Sequence, residues 1–259
     1  MICALMLGRK GSLGFPGKNL FPVLGRPLTE YPLLAARHSQ NVDKIYISTD
    51  DDRIMGLGRN YGAEIIVRPP ELASKTALGE YAYLHGYQVI KEKVQPQKME
   101  LIVLLFCNAA TLTADTIDRG IEMLRNNPNA DSAVTVSAYN MWSPLRARKE
   151  DADGFLHPFV PFETFGDPKK LNCDRDSQGE VLFADMSVSI VRPRCFENLE
   201  NGLLPQKWMG RKILAIKQWG GLDVDFDWQI PQVEFWLRKN GFSESTTPYT
   251  HVKEKIYGQ

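Results

Sequence analysis

A short loop rich in glycine and basic residues follows the first apolar segment of the chain. Ile2–Leu7 is a continuous apolar run, which predicts a strand that is covered on both faces. Residues 8–19 then contain the cations Arg9, Lys10 and Lys18. Cations this close repel one another unless a multiply charged anion lies among them, and the N–H groups of a glycine-rich turn also favour phosphate. The loop therefore indicates a nucleoside triphosphate site; the alternative is an ordinary solvated basic turn.

The spacing of the glycines excludes two familiar phosphate motifs. Beginning at Gly8, they form G-x-x-G-x-x-G, whereas the dinucleotide-binding fingerprint requires G-x-G-x-x-G. A P-loop requires G-x-x-x-x-G-K-[ST], but here Gly17 and Lys18 are followed by Asn19. In addition, Ser12 stands where the first glycine of a P-loop would be. A different kind of phosphate loop is therefore expected.

Three aspartates alternate near the end of the chain, at Asp223, Asp225 and Asp227. Residues two apart in an extended segment face the same side, so their carboxylates repel each other. Mg²⁺ relieves such repulsion, and it prefers one or two carboxylates together with substrate phosphates. We predict Asp223 and Asp225 as magnesium ligands and Asp227 as the cap of the following helix. A second acidic cluster, residues 50–52, is interpreted as structural because it begins a predicted helix.

Strands and helices alternate along the first half of the chain. Strands are predicted over residues 2–7, 44–48, 64–67, 101–106 and 132–137, and each of the first four is followed by a helix or a helix-like segment. This order predicts βαβ units and an α/β protein with a Rossmann-like, mostly parallel sheet flanked by helices. The loops that follow the strands then lie along one edge of the sheet.

The regular alternation ends at residue 137. Residues 139–176 are rich in Pro, Asp and aromatic side chains and show no clear helix, and shorter strands and a last helix over 228–240 follow. We interpret residues 1–259 as a single domain with a small inserted subdomain at approximately 139–200, which acts as a lid or a dimer contact. The indoles are expected to pack in the core or at a subunit contact, namely those of Trp208, Trp219, Trp228 and Trp236.

The composition excludes several classes of protein. Lys and Arg number 31 and Asp and Glu also 31 among 259 residues, so the chain lacks the positive charge of a general nucleic-acid binder. No apolar run reaches the roughly 18 residues that span a bilayer, and the apolar start precedes the basic residues, which reverses the order of a signal peptide. The four cysteines include no CxxC pair, which favours buried thiols over disulfides or zinc. We therefore expect a cytoplasmic protein without nucleic-acid or membrane partners.

Four segments resemble the motifs of one family. Residues 9–19, RKGSLGFPGKN, resemble the R-x-x-S-K-G-x-P-x-K-N loop of the acylneuraminate cytidylyltransferases (CMP-sialic acid synthetases), a nucleotidyltransferase group that also includes the CMP-Kdo synthetases. Residues 47–51, ISTDD, resemble V-S-T-D-D, and residues 68–73, RPPELA, resemble R-P-x-x-L-A. Residues 223–225, DVD, resemble the late D-I-D metal motif. The resemblance extends from the first strand to the last helix.

This resemblance implies a single nucleotidyltransferase domain that joins CTP to an acidic sugar, a sialic-acid-like nonulosonate or a Kdo-like octulosonate, and releases pyrophosphate. It also implies Mg²⁺ at Asp223 and Asp225 and a homodimer. Arg9 and Lys18 are expected to hold the phosphates and stabilise the leaving pyrophosphate, and Asp225 or a metal-bound water to take the hydroxyl proton. The nucleotide contacts implied by the resemblance, extended to two further residues of the first loop, are Arg9, Lys10, Gly11, Ser12, Lys18, Asn19 and Arg68.

The chain departs from the family pattern at several positions. Leu13 stands where the family has the lysine of S-K-G, and we predict that Lys10 supplies the missing cation. Residues 106–108, FCN, replace Q-P-T, and residues 183–186, FADM, replace R-P-N-G. Lys75 replaces a frequent aspartate. Residues 106–108 and 183–186 fall on sugar-pocket positions of the family. We therefore predict a sugar other than plain N-acetylneuraminate.

The carboxylate of an acidic sugar calls for a cation or oriented donors, and the planar fork of arginine suits it. Residues 142–146, WSPLR, resemble the H-P-L-K segment of the family, which puts Arg146 in the place of the lysine. We predict Arg146 and Asn108 as sugar-binding residues. The alternative for Arg146 is a surface salt bridge.

Two other functions stay open on the sequence. One is a nucleotidyltransferase for another sugar or for a polyol phosphate. The other is a nucleotide-binding protein that does not catalyse, which Leu13 and Phe106 favour. The Asp223 and Asp225 pair disfavours the second alternative, because a protein that only binds nucleotide has less need of a metal pair.

Overall fold

A strand of six buried residues lies inside a seven-stranded sheet. It is formed by Ile2–Leu7 in the computed structural model, which describes residues 1–11, 14–177 and 179–250. The strands are β1 (Ile2–Leu7), β2 (Pro22–Val23), β3 (Arg26–Pro27), β4 (Lys44–Thr49), β5 (Glu64–Val67), β6 (Leu101–Phe106), β7 (Ser132–Ala138), β8 (Arg148–Glu150), β9 (Leu156–Pro158), β10 (Leu182–Val191) and β11 (Ile213–Gln218). The helices are α1 (Glu30–His38), α2 (Asp52–Asn60), α3 (Pro70–Ala73), α4 (Gly79–Val94), α5 (Ala114–Arg125), α6 (Arg194–Glu197) and α7 (Ile230–Lys239).

The main sheet has the strand order β11-β7-β10-β6-β1-β4-β5. Four of its strand pairs are parallel: β1 with β4, β1 with β6, β4 with β5, and β7 with β11. Only β10 runs antiparallel, between β6 and β7. The predicted α/β fold with a Rossmann-like, mostly parallel sheet is therefore confirmed. The carboxyl ends of the parallel strands share one edge, where the loops with the candidate site residues begin.

The apolar pattern predicts two short strands in this region, residues 181–183 and 187–191, whereas the structure has the single antiparallel strand β10. Leu182–Val191 is one strand, and its pairing with β7 shifts register between Ala184 and Ser189. Inside the shift, Met186 has a φ of 62°, in the left-handed region that non-glycine residues rarely adopt. The polar residue Asp185 lies within this shift and interrupts the apolar pattern of the sequence. The pattern therefore predicted two strands instead of one. The predicted insertion of residues 139–200 includes β10, so the segment outside the main sheet ends before this strand.

Helices cover both faces of the sheet, and β1 contributes side chains to each face in turn. Ile2, Ala4 and Met6 pack in a cluster with residues of α1, α2 and α5. Cys3 and Leu5 pack in a second cluster with residues of α4 and α6. The sheet is therefore buried on both faces, as the continuous apolar run of β1 predicted.

The last helix, α7, fixes the segment that precedes it. Val233, Trp236 and Leu237 of α7 lie in a third buried cluster together with Tyr31 of α1 and Val224. Because Val224 points into this cluster, the side chains before and after it point the other way. The packing of α7 therefore turns both predicted metal ligands toward the edge of the sheet.

Between β7 and β10, residues 139–181 contain short 3-10 turns and the hairpin β8–β9. Several large apolar side chains of this segment are exposed, namely Met141, Trp142, Phe155, Leu156 and Phe159. Elsewhere, Cys3, Cys107 and Cys195 are buried free thiols. Among the described helices, none combines the length and apolar character needed to cross a membrane.

Candidate active site

Four separate stretches of the chain converge on a cleft at the carboxyl edge of the sheet. The cleft has a volume of about 410 Å³. Its apolar lining includes Leu7, Leu72, Leu78 and Phe106. Its polar lining contains most of the predicted site residues, namely Arg9, Lys18, Asn19, Arg68, Asn108, Asp223 and Asp225. Three cations and two carboxylates in one cleft form a donor set for a polyanion and a divalent cation.

Arg9 joins the basic loop to the segment that follows α3. Its Nη1 donates to the carbonyl oxygen of Ser74 at 2.7 Å. The side chain of Asn19 returns to the start of the loop, because its Nδ2 donates to the carbonyl oxygen of Arg9 at 3.2 Å. The hydroxyl of Thr29 in turn donates to the carbonyl oxygen of Asn19 at 2.7 Å. These contacts hold both ends of the loop against the rest of the fold.

Lys18 and Asp225 form an ion pair across the cleft. Lys18 Nζ lies 2.5 Å from Asp225 Oδ1, and their side chains are 12% and 58% exposed. The loop approaches this segment closely at Gly14, where an added Cβ would lie 2.8 Å from the carbonyl oxygen of Asp225. The predicted phosphate ligand and the predicted metal ligand therefore contact each other directly.

Arg68 places a buried cation at the wall of the cleft. It is 6% exposed, and its guanidinium donates to the hydroxyl and the carbonyl oxygen of Ser48. Burial lowers the pKa of Arg68, while Cys107 and Asp50 act in the opposite direction. Within the part of the chain that the structure describes, no carboxylate forms an ion pair with Arg68. A buried guanidinium in these surroundings favours an anion in the cleft.

Asp223 is a partly buried carboxylate in an unfavourable environment. Its pKa is raised, first by burial and second by the charge of Asp225. Lys18 lowers the pKa in part, and Asn108 Nδ2 donates to Asp223 Oδ2 over a long distance of 3.4 Å. An additional positive charge near Asp223 would stabilise its ionised form.

The two carboxylates fit the requirements of a magnesium ion. Both Asp223 and Asp225 line the cleft, on the same side of their segment, and carboxylate oxygens are the hard ligands that Mg²⁺ prefers. No group of three or more His, Cys, Asp or Glu with metal-binding geometry occurs among the described residues. Two carboxylates would leave the remaining ligand positions of a Mg²⁺ ion to phosphate and water, as in many Mg²⁺ sites with nucleotides.

Asn108, predicted to bind the sugar, contacts the acidic segment instead of standing free. Its Nδ2 donates to the carbonyl oxygen of Val224 at 2.8 Å, and the N–H of Val224 donates back to the carbonyl oxygen of Asn108 at 3.0 Å. This double contact fixes the backbone between the two aspartates. Asn108 nevertheless lines the cleft.

The remaining predicted residues of the first loop lie beside the cleft. The N–H of Lys10 donates to Asp50 Oδ1 at 2.8 Å, and the residue is exposed. Gly11 lines a small adjoining recess of about 50 Å³, together with Arg9 and Lys18. Ser12 and Leu13 lie outside the described residues.

The acidic cluster at residues 50–52 has the structural role that was predicted for it. Asp51 Oδ1 accepts the N–H of Arg53 at 2.9 Å and so caps α2. The pKa of Asp51 is lowered in spite of burial, because Arg53 donates to the carboxylate from both its side chain and its backbone. This carboxylate belongs to the helix terminus.

Arg146 lies in a different cleft of this chain, within the inserted segment. That cleft has a volume of about 560 Å³ and is also lined by Arg148, Phe162 and Cys173. Arg146 Nη2 donates to the carbonyl oxygen of Cys173 at 2.8 Å. The structure therefore does not bring Arg146 into the cleft that Arg9, Lys18 and Asp223 line. The contact of Arg146 with a sugar stays a prediction.

A second cleft borders Asp223 on the side away from the basic loop, and sequence reasoning missed it. It has a volume of about 310 Å³, and Tyr139, Trp142, Phe183 and Trp228 form its aromatic lining. We call it the aromatic cleft. Trp142 is 70% and Trp228 62% exposed. The only signal in the sequence was the position of aromatic residues next to predicted site segments.

Two of the four indoles that were expected to pack in the core or at a subunit contact lie in the core. Trp208 and Trp236 are buried, but Trp219 and Trp228 are 50% and 62% exposed. Trp228 follows the acidic segment directly, before α7 begins, and its ring stacks on Phe226 with a centroid distance of 6.0 Å. The turn before a helix gives an indole little core to enter, so Trp228 is not a core residue, and the expected subunit contact of Trp219 and Trp228 stays a prediction.

Comparison with known proteins identifies a family. A protein-family model described as "Cytidylyltransferase" matches residues 3–203. The chain is 36% identical over 134 residues to the 8-amino-3,8-dideoxy-manno-octulosonate cytidylyltransferase of Shewanella frigidimarina, which covers 46% of this chain and 55% of that protein. It is 38% identical over 234 residues to the N-acylneuraminate cytidylyltransferase of Oncorhynchus mykiss, which covers 89% of this chain and 49% of that protein. The chain thus spans about half the length of these curated relatives.

A solved structure has the same fold. It is the structure of CMP:2-keto-3-deoxy-manno-octonic acid synthetase complexed with CTP, which aligns with a TM-score of 0.62 over 92% of this chain and 98% of that chain. The sequence identity is 14%, so this likeness concerns the fold alone.

Proposed function

The chain belongs to the cytidylyltransferase family, and from this we propose that it transfers the CMP group of CTP to a hydroxyl of an acidic sugar and releases pyrophosphate. The sugar is a sialic-acid-like nonulosonate or a Kdo-like octulosonate. The observation that carries the proposal is the convergence of three cations and two carboxylates on one cleft. The relatives named for an N-acylneuraminate and an octulosonate support the choice of acceptor.

Arg9, Lys18 and Arg68 bind the triphosphate in this proposal. Arg68 is buried, so its attraction to a phosphate is less screened by water than that of an exposed arginine. Arg9 and Lys18 stabilise the charge that develops on the leaving pyrophosphate. Asn19 keeps the loop folded around the phosphates through its contact with the Arg9 carbonyl oxygen. Lys10, exposed on the same loop, adds a further positive charge.

Asp223 and Asp225 would hold the Mg²⁺ ion. When bound, the ion supplies neutralising charge for the attacked phosphate. Lys18 moves from Asp225 to the phosphates when the nucleotide enters. The sugar hydroxyl then forms a bond to the α-phosphorus while the bond to the β-phosphate oxygen breaks. Asp225, whose side chain is 58% exposed, accepts the hydroxyl proton.

The acceptor sugar occupies the aromatic cleft. Asp223 lines both clefts, so a sugar in the second cleft lies directly beside a nucleotide in the first. The exposed faces of Trp142 and Trp228 offer apolar surfaces for the C–H groups of a sugar ring. Arg146 stays a candidate ligand of the sugar carboxylate, because a planar guanidinium can donate two hydrogen bonds to a carboxylate.

We also propose a cytoplasmic homodimer with the inserted segment as the contact. Exposed apolar side chains grouped in one segment are typical of interaction surfaces, and this segment exposes Phe155, Leu156 and Phe159. Buried free thiols are typical of proteins in a reducing compartment.

The experiment that tests this function is ³¹P NMR of the products formed from CTP, Mg²⁺ and a panel of acceptors. We expect pyrophosphate together with a phosphodiester signal when an acidic sugar is present, and less product with ATP, GTP or UTP. A diphosphate-linked product formed from a polyol or sugar phosphate would replace the proposal with the first alternative. Nucleotide binding without any product would support a non-catalytic binding protein.

A further inference from the structure

A buried carboxylate lies at the end of the sheet, beside the segment with the proposed metal ligands, and it also lines the aromatic cleft. Asp185 is 5% exposed and belongs to the register shift of β10, next to Met186 with its φ of 62°. Burying a carboxylate costs free energy unless hydrogen bonds compensate for the lost water. A position that retains such a group inside a sheet therefore requires an explanation.

Three hydrogen bonds from three strands reach this carboxylate. Asp185 Oδ1 accepts the N–H of Ser187 at 3.1 Å. Asp185 Oδ2 accepts the hydroxyl of Ser137 at 2.7 Å and the Nε2 of Gln218 at 3.0 Å. Across residues 1–11, 14–177 and 179–250, no Lys, Arg or His forms an ion pair with it. Asp185 thus joins β10 to the ends of β7 and β11 through neutral donors.

The hydroxyl of Ser137 carries this contact to the acidic segment. Having donated its hydrogen to Asp185, Ser137 Oγ accepts the N–H of Gly221 at 2.9 Å. Gly221 lies so close that an added Cβ would overlap Asp185 Oδ2. Only glycine allows this approach, and Gly221 is two residues before Asp223.

The other backbone contacts around Asp223 complete a fixed frame. The N–H of Leu222 donates to Thr111 Oγ1 at 2.9 Å. The N–H of Val224 donates to the carbonyl oxygen of Asn108 at 3.0 Å. Asp223 is therefore held by backbone contacts on both sides. The contact at Gly221 forms only when the Ser137 hydroxyl points its hydrogen at Asp185, which leaves the Ser137 oxygen free to accept the N–H of Gly221.

We propose that Asp185 is a positioning residue that orients the Ser137 hydroxyl, fixes the backbone at Gly221 and so places the Asp223 carboxylate for the divalent cation. The inference rests on the proposed function, because it assumes a metal at Asp223 and Asp225. An asparagine at position 185 has nearly the same size, but it has one acceptor oxygen where the carboxylate has two. It cannot accept from Ser187 on one atom and from Ser137 and Gln218 on the other, so the contacts that direct the Ser137 hydroxyl toward Asp185 and its oxygen toward Gly221 would weaken.

The test compares Asp185→Asn with the wild type by Mn²⁺ binding, which EPR measures without turnover, and by kinetics with CTP. We expect Mn²⁺ affinity and kcat to fall roughly tenfold or more, the scale for removing a group that orients a metal ligand. The KM for CTP should change less than twofold, because Arg9, Lys18 and Arg68 lie on other segments. Ser137→Ala should give a similar loss, and the double variant should be no worse than either single variant.

Asp131→Asn is the matched control. Asp131 Oδ2 accepts the N–H groups of Arg211 and Lys212, both at 2.9 Å, at the opposite end of the same two strands. It should lower thermal stability without changing Mn²⁺ affinity. If Asp185→Asn likewise lowers only stability, or leaves Mn²⁺ affinity unchanged, the positioning role is overturned. Failure of the proposed function gives a different result. In that case the wild type forms no product from CTP, but Asp185→Asn can still bind Mn²⁺ more weakly than the wild type.

Discussion

At the scale of single residues, the ion pair between Lys18 and Asp225 links the two halves of the proposed chemistry. The nitrogen that would bind phosphate lies 2.5 Å from an oxygen that would bind metal. Each group therefore neutralises the other until substrates arrive. Nucleotide and metal are expected to bind together, because each one releases the partner of the other.

The first prediction follows from this pairing. Lys18→Met keeps the length of the side chain and removes its charge, so Asp225 loses its competing cation. In the absence of nucleotide we expect Mn²⁺ to bind roughly two- to fivefold more tightly, the scale of a partly exposed ion pair. The KM for CTP should rise roughly tenfold or more, because a charged contact to phosphate is lost. Isothermal titration with Mn²⁺ and steady-state kinetics measure the two effects.

Lys207→Met serves as the control, since Lys207 pairs with Glu200 away from the cleft. It should change neither quantity. Weaker Mn²⁺ binding by Lys18→Met without nucleotide would contradict the competition between Lys18 and the metal.

The second prediction concerns the raised pKa of Asp223. A carboxyl whose pKa in the folded state lies above its ordinary value of 3.8 destabilises the folded protein once the pH exceeds that value. The penalty grows until the pH passes the folded-state pKa and is complete above it. Without divalent metal, Asp223→Asn should therefore raise the midpoint of thermal unfolding at neutral pH. The gain should shrink as the pH falls toward the ordinary value.

Thermal unfolding with EDTA at several pH values measures this effect. Asp227→Asn is the control, because Asp227 is exposed and its Oδ1 accepts the N–H of Trp228 at 2.8 Å. An Asp223→Asn protein that is less stable than wild type at neutral pH would show that the charge of Asp223 is not a cost to the fold.

Most of the elements could be predicted from the sequence, because burial on both faces leaves continuous apolar runs. The runs of β1 and β6 have this character, and the helix caps Asp51 and Thr113 are of residue types that favour this position. The place of β10 could not be predicted. Its antiparallel insertion between β6 and β7 depends on pairing between distant segments, on which hydrophobic periodicity carries no information.

The residues of the candidate site could also be predicted only in part. Arg9, Lys18, Arg68 and the two aspartates were identified from residue type and motif, and the fold brings them into one cleft. The aromatic cleft was missed, because its walls come from segments that are distant in the chain and individually look like packing residues. Type and spacing indicate chemistry within a segment but not the contacts between segments.

The third prediction belongs to the first loop as an element. An alanine at Gly14 would put its Cβ 2.8 Å from the carbonyl oxygen of Asp225. The backbone there is held in place because Asn108 hydrogen-bonds to the backbone of Val224. The loop must then move away from the acidic segment. We expect Gly14→Ala to raise the KM for CTP and to lower kcat, together roughly tenfold or more, since small misplacements of catalytic groups reduce rates strongly.

Gly56→Ala is the matched change, because nothing lies within 4 Å of an added Cβ in the middle of α2. It should leave the kinetics unchanged and stabilise the protein by up to about 1 kcal/mol. If Gly14→Ala has wild-type kinetics, the close approach of loop and acidic segment has no part in catalysis.

At the scale of the whole molecule, Asp223 lies between two clefts of different character. One is lined by cations and the other by aromatic side chains, with no Lys or Arg among the described residues that line the second. In the proposed function, the first cleft would hold the polyanionic donor and the second the sugar acceptor, with the proposed metal ligands between them. The inserted segment contributes Trp142 to the aromatic cleft and Arg146 to a cleft of its own.

The fourth prediction tests whether the inserted segment reaches the acceptor. If Arg146 binds the sugar carboxylate, Arg146→Ala should raise the KM for the acidic sugar by roughly 10- to 150-fold, the effect of losing one charge-assisted bond. The KM for CTP should stay constant. Arg148→Ala is the control, since its guanidinium lies 5.5 Å from the ring centroid of Phe162 in the same cleft. Equal KM values for Arg146→Ala and wild type would remove Arg146 from the sugar site.

The most direct test of the proposed reaction is the rate of pyrophosphate release from CTP and an acidic sugar, measured side by side for wild type, Asp225→Asn and Asp227→Asn. We expect the wild type to release pyrophosphate only when both Mg²⁺ and the sugar are present. We expect a rate at least about a hundredfold lower for Asp225→Asn, the scale for losing one group that stabilises the transition state electrostatically, and a nearly unchanged rate for Asp227→Asn. Near-normal release by Asp225→Asn, or full wild-type activity in excess EDTA, would contradict the proposed reaction.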